Sequence, residues 1–156
     1  MSTHKTPDER RKQIVAAAAK CFADKGYFGA SMDDVVQVSG LSKGGVYWYF
    51  KTKRDLLLAV CDAWWAVVRE GISKGQRDGQ SAGDSLRGLF LAVGRGAAAQ
   101  PELARVYAEG ILVAGRDPVI TAWGRRVYDE AHGYVSQILT HGISRGEFRP
   151  QPVDTI

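Results

Sequence analysis

Helix-start signals recur along this chain, and each is followed by apolar residues at helical rather than strand spacing. The first is Thr6-Pro7-Asp8-Glu9. It offers a hydroxyl for the N-cap, a proline at the first turn, where a missing N–H costs nothing, and a glutamate three residues past the cap. Ile14, Ala18, Cys21 and Phe22 then repeat on one face until Gly26 ends the helix. Ser31-Met32-Asp33-Asp34 opens a short second helix with Val35 and Val36 inward, closed at Ser39-Gly40. Ser42 caps a third helix over 43–50, and Thr52-Lys53-Arg54-Asp55 starts a longer fourth with Leu56, Val60, Trp64, Val67 and Val68 inward. Residues 74–83 are polar and glycine-rich and read as a loop; further helices are predicted over 84–99, 101–114 and 118–145, with an irregular tail over 147–156. No hairpin turn or sustained alternation interrupts the pattern, so the predicted fold is all-α.

At 156 residues, 45% hydrophobic and 24% charged, the composition is that of a globular protein. No apolar run reaches the roughly 18 residues a membrane span needs. The longest candidate, 56–61, is stopped by Asp62, and the N-terminus lacks a secretory apolar segment, so a cytoplasmic location is expected. Cys21 and Cys61 are 40 positions apart with no Cys-x-x-Cys pair, which points to two reduced core residues rather than a zinc site. Charge is unevenly placed. Residues 1–54 hold ten Lys or Arg against five Asp or Glu, whereas the remainder holds eleven against twelve. A basic N-terminal unit on a near-neutral body suggests a polyanionic partner at one end.

The second and third helices are joined by Ser39-Gly40-Leu41-Ser42, a short glycine turn with a cap ready for the next helix. That is the layout of a helix-turn-helix, whose second helix enters the DNA major groove. On a helical wheel Val46, Tyr49 and Phe50 share one arc, suited to packing on the first helix, while Lys43, Gly44, Tyr47 and Trp48 share the facing arc. Two large aromatics and a lysine on an outward face imply a surface that something covers. Lys43 can donate to guanine or phosphate, Gly44 and Gly45 allow close backbone approach, Tyr47 offers a hydroxyl to phosphate, and Trp48 an apolar face to thymine methyls. Lys51, Lys53 and Arg54 can clamp phosphates, and the helix N-termini capped by Ser31 and Thr52 add oriented N–H groups.

The stretch Gly40-Leu41-Ser42-Lys43-Gly44-Gly45-Val46-Tyr47-Trp48-Tyr49-Phe50-Lys51-Thr52-Lys53 resembles the TetR family of bacterial regulators, and the likeness extends from Thr6 to about Leu58. The resemblance implies that Tyr47 and Lys53 touch phosphates, and that Lys43, Gly44, Gly45 and Trp48 face the bases. Gly45 departs from the family's frequent Thr or Ser, which removes a side chain there. The resemblance also implies two parts: a helix-turn-helix DNA-binding domain of three helices over 1–54, and a C-terminal helical bundle over 55–156 for ligand sensing and dimerisation, shortened at its C-terminus relative to the family. The expected role is a ligand-responsive repressor that binds a palindromic operator as a homodimer, with double-stranded DNA and a small-molecule inducer as partners and no cofactor.

Trp64, Phe90, Tyr107, Glu109, Trp123 and Tyr128 supply candidate ligand-pocket groups, although aromatics at helical spacing also build cores. For Glu109 an ion pair with Arg105 is the alternative. Glycines 88, 94, 96, 110, 124, 133 and 142 interrupt predicted helices, through either close packing or cavity room. Motifs for phosphate-loop, serine-hydrolase or zinc-protease chemistry are absent, and His132 and His141 fall on opposite sides of one helix, so neither an enzyme nor a metal site is expected. The competing reading is a helical small-molecule-binding or interaction protein without DNA function. Steep salt dependence of duplex affinity separates the two.

Overall fold

A computed structural model describes residues 5–75 and 79–149, which form seven α-helices with no strand among them. They are α1 (Pro7–Gly29), α2 (Met32–Ser39), α3 (Lys43–Tyr49), α4 (Lys53–Gly75), α5 (Ala82–Ala99), α6 (Pro101–Ala114) and α7 (Pro118–Ser144). Local sequence explains the starts. Thr6 and Glu9 form a reciprocal capping box at α1, Ser31 and Asp34 form another at α2, and Pro101 and Pro118 occupy first-turn positions of α6 and α7. At α4 the Thr52 hydroxyl accepts from the Asp55 amide at 3.1 Å, and the Asp55 carboxylate accepts from the Thr52 amide at 2.9 Å.

Gly26 breaks α1, as expected, through a left-handed backbone (φ 71°), and one further helical turn follows to Gly29. The polar stretch after α4 is shorter than its composition suggests. Lys74 and Gly75 complete α4, and α5 begins at Ala82 because Ser81 accepts from the Asp84 amide at 3.0 Å. Most of the expected irregular tail, 150–156, lies outside the described residues.

One apolar cluster runs from Ile14, Ala18 and Phe22 of α1, through Val35 and Val46, to Leu56, Leu57 and Val60 of α4 and on to Val106, Ile120 and Trp123. Each fully buried Leu, Ile, Val or Phe contributes roughly 1.5–3 kcal/mol relative to exposure. Cys21 and Cys61 are buried and free, and burial pushes the Cys61 thiol up to about 12. Three of the interrupting glycines are contact points. A Cβ on Gly96 would lie 3.3 Å from Val67, one on Gly110 2.9 Å from the Cys61 sulfur, and one on Gly142 2.7 Å from the Ala82 Cβ. In α4, a Cβ on Gly71 would likewise lie 3.0 Å from the Ala92 Cβ of α5. Gly94, Gly124 and Gly133 face open space.

Candidate nucleic-acid interface

The turn between α2 and α3 is held at both ends. Gly40 is left-handed (φ 68°), and the Gln13 side chain of α1 donates to the Ser39 carbonyl at 2.7 Å. Ser42 then caps α3, its hydroxyl accepting from the Gly45 amide at 3.1 Å. A Cβ at Gly45 would sit 3.1 Å from that same hydroxyl, so glycine here suits the cap. Val46 is completely buried, and Phe50 is buried beneath the Arg11 guanidinium, 5.2 Å from its ring centre. Tyr49 is half-buried against the core. This side of α3 is an anchor.

The opposite side faces solvent. Trp48 is 70% exposed, Lys43 and Gly44 are exposed, and Tyr47 is half-buried. Trp48 stands edge-on to Tyr49 at 4.6 Å, which fixes its orientation without covering it. Lys43 pairs with Asp33 of α2 at 2.9 Å, and its ammonium lies 6.0 Å from the Tyr47 ring centre. The Asp33 carboxylate raises the Lys43 pKa. Ser31 is engaged at its cap with Asp34, whose carboxyl is held down at about 2 by the Lys25 ammonium and the Ser31 hydroxyl and amide.

The flanking lysines differ. Lys51 is exposed. Lys53 turns back, donating to the Ala30 carbonyl at 2.9 Å and the Phe28 carbonyl at 3.3 Å, with its ammonium 4.8 Å from the Tyr27 ring centre. The same turn is gripped from the other side: Glu109 of α6 accepts from the Tyr27 amide at 2.7 Å. Glu109 therefore fastens α1 to α6; among the described residues no ion pair joins it to Arg105. Arg54 makes a second strap, to Asp117 at 3.2 Å. Burial works against the Asp117 charge, but the Val119 and Ile120 amides and Arg54 outweigh it and leave its pKa lowered. Local sequence had no signal for Gln13, Glu109 or Asp117, because each partner lies 26 or more positions away.

The six residues proposed for a ligand pocket do not converge. Trp64, Tyr107 and Trp123 form one aromatic group with ring centres 6.1 and 5.8 Å apart, and the Trp123 indole donates to Asp62 at 2.8 Å. Phe90 and Tyr128 point to solvent, 73% and 61% exposed, and Glu109 serves the Tyr27 amide. Tyr128 stacks on His132 at 5.9 Å, and no set of three or more potential metal ligands occurs among the described residues. No described helix is long and apolar enough to cross a membrane.

Residues 14–60 match the family model described as bacterial regulatory proteins, tetR family. Over 158 aligned residues the chain is 31% identical to the HTH-type transcriptional regulator YfiR of Bacillus subtilis, covering 99% of this chain and 76% of that protein. This chain belongs to the TetR family. It is a transcriptional regulator with a helix-turn-helix DNA-binding unit, which sets aside the reading as a binding protein without DNA function. The HTH-type transcriptional repressor Rv1474c of Mycobacterium tuberculosis is 33% identical over 107 residues, covering 64% of this chain and 57% of that one. A TetR transcription regulator structure from Haloarcula marismortui superposes with a TM-score of 0.83 at 19% identity, covering 95% of this chain and 78% of that one, and supports the fold alone.

Proposed function

We propose that this TetR-family chain is a ligand-responsive repressor that binds a palindromic operator as a homodimer, residues 1–54 reading DNA and residues 55–156 sensing ligand and dimerising. The supporting observation is the outward face of α3, where a 70% exposed Trp48 stands beside Lys43 and Gly44 above a buried Val46. Lys43, Gly44, Gly45 and Trp48 face the bases. Tyr47 donates its hydroxyl to a phosphate and Lys51 and Lys53 neutralise phosphates, while Ser31 and Ser42 hold helix N-termini toward the backbone. Lys43 exchanges Asp33 for DNA on binding. One recognition helix covers a single half-site, so two copies and a symmetric operator are required. Effector binding among α4–α7 tilts α4, and the straps from Glu109 and Asp117 carry the shift to the reader.

Selection of bound duplexes from a random pool tests this directly. A palindromic consensus is expected; recovery of unrelated sequences would reject sequence-specific reading. Against that consensus, Lys51→Ala should weaken binding to all duplexes and lower the salt slope by about 1. Lys53→Ala should do the same and also loosen the turn at 27–30. Replacing Lys43 should change preference at one base position. A promoter fused to the selected site should be silenced by the protein, and stimulation instead would reverse the sign.

A further inference from the structure

We infer that Asp33 is a specificity-determining residue of the reader, its carboxylate taking a cytosine amino group while Lys43 takes the guanine of the same base pair. This rests on the placement of Lys43 against the bases proposed above, and it adds a charged acceptor to that reading. The α3 sequence itself carries no carboxylate. Asp33 belongs to α2, yet its Oδ1 lies 2.9 Å from the Lys43 ammonium of α3. Both side chains are solvent-exposed, so the carboxylate shares the outward face that carries Gly44 and Trp48. The neighbouring Asp34 is committed elsewhere, to the α2 capping box and to Lys25. Among the described residues, Lys43 is the side chain bonded to Asp33, and nothing else holds that carboxylate.

When Lys43 leaves Asp33 for DNA, a carboxylate is left facing a polyanion, which is unfavourable unless it finds a donor. Phosphates offer only acceptors. In the major groove the donors are the cytosine N4 and adenine N6 amino groups. A G·C pair shows two adjacent acceptors, guanine N7 and O6, and then the cytosine N4 donor. An A·T pair sets its donor between two acceptors and ends in a methyl group. An ammonium, with donors only, fits the adjacent acceptors, and a carboxylate, with acceptors only, fits the terminal donor. The spacing agrees. Guanine O6 and cytosine N4 are joined by a base-pairing hydrogen bond and so lie about 2.9 Å apart, the separation already held between Asp33 and Lys43. An ion pair this exposed contributes little to stability, so each partner leaves the other for a base at small cost. On other sequences the carboxylate meets no donor beside the lysine's acceptors and repels the backbone. A negative charge on a basic reader is thereby turned into discrimination.

The test is selection from a random duplex pool with the parent, Lys43→Ala and Asp33→Ala. The parent should require a G·C pair at one position of each half-site, and both variants should lower discrimination at that same position about tenfold. Affinity of Asp33→Ala for an unrelated duplex should rise, since a charge that repels phosphate is gone, and the rise also shows that the variant folds. A second set of duplexes replaces the cytosine at that position by pyrimidin-2-one, which lacks the amino group. The replacement should cost the parent about tenfold more affinity than it costs Asp33→Ala, which has no contact there to lose. An equal loss in both proteins means that Asp33 only orients Lys43, and overturns the inference. Should Asp33→Ala not fold, Asp33→Asn keeps the shape and supplies an amide, which pairs with adenine, so the position should turn from G·C toward A·T. Relaxation of different positions by the two variants, or a parent preference for A·T there, overturns the inference likewise. A position relaxed by Lys43→Ala and untouched by Asp33→Ala removes the role of Asp33 and leaves Lys43 as a base reader, while a consensus untouched by either removes both.

Discussion

Asp34 shows how one side chain serves two elements. It closes the capping box of α2 and pairs with Lys25 of α1 at 2.6 Å. Its pKa is lowered from 3.8 to about 2, so its contribution is complete above the ordinary value and is lost as pH falls through the lower one. The acid limb of thermal stability should therefore steepen between about pH 4 and 2, and Asp34→Asn should flatten it; both effects should shrink in high salt, since Lys25 is half-exposed. At this scale the caps were legible beforehand. Thr6, Ser31, Ser42 and Thr52 act within three residues of themselves, and short-range chemistry is written in consecutive letters. The divided behaviour of Lys51 and Lys53 was not, because the carbonyls that engage Lys53 belong to residues 23 and 25 positions earlier.

Helix packing explains what the glycines are for. The Gly110 Cα carries no Cβ because α6 crosses α4 at Cys61, where an added methyl would approach the sulfur to 2.9 Å. Gly110→Ala should cost about 1–3 kcal/mol in chemical denaturation. Cys61→Ala in the same chain should recover part of that loss, a non-additivity expected of touching residues. Glu109, one residue earlier, makes the other α6 contact that matters. Glu109→Ala should cost about 1–2 kcal/mol, and amide exchange at Tyr27 should accelerate while that at Ile14 does not. Glu109→Gln, which keeps an acceptor oxygen, should restore most of both. The order of the helices and most of their starts followed from periodicity and caps, whereas α1 runs three residues past its expected end at Gly26 and α5 starts two residues early. The choice between packing and cavity at each glycine did not, since it depends on which helix lies opposite.

For the whole molecule, the question is where one part stops. The buried positions of α1, α2 and α3 close on Leu56, Leu57 and Val60 of α4, and the Tyr27 amide is held by a carboxylate from α6. A fragment ending at residue 54 should show little helical circular dichroism and no cooperative melting, whereas the intact chain should melt in one transition. Two cooperative transitions in the intact chain would show the parts to be independent. The fate of the pocket candidates was illegible from sequence for a related reason: aromatic residues draw attention, but Phe90 and Tyr128 turned outward while Trp64, Tyr107 and Trp123 packed together. The shared core also bears on engineering. A chimera joined between α3 and α4 would graft a foreign reader onto Leu56 and Leu57 without its native counterparts, and would strand Glu109, whose partner is the Tyr27 amide. Transplanting DNA preference is better done by exchanging the solvent-facing letters of α3, leaving Val46 and Phe50 as the graft's foundation.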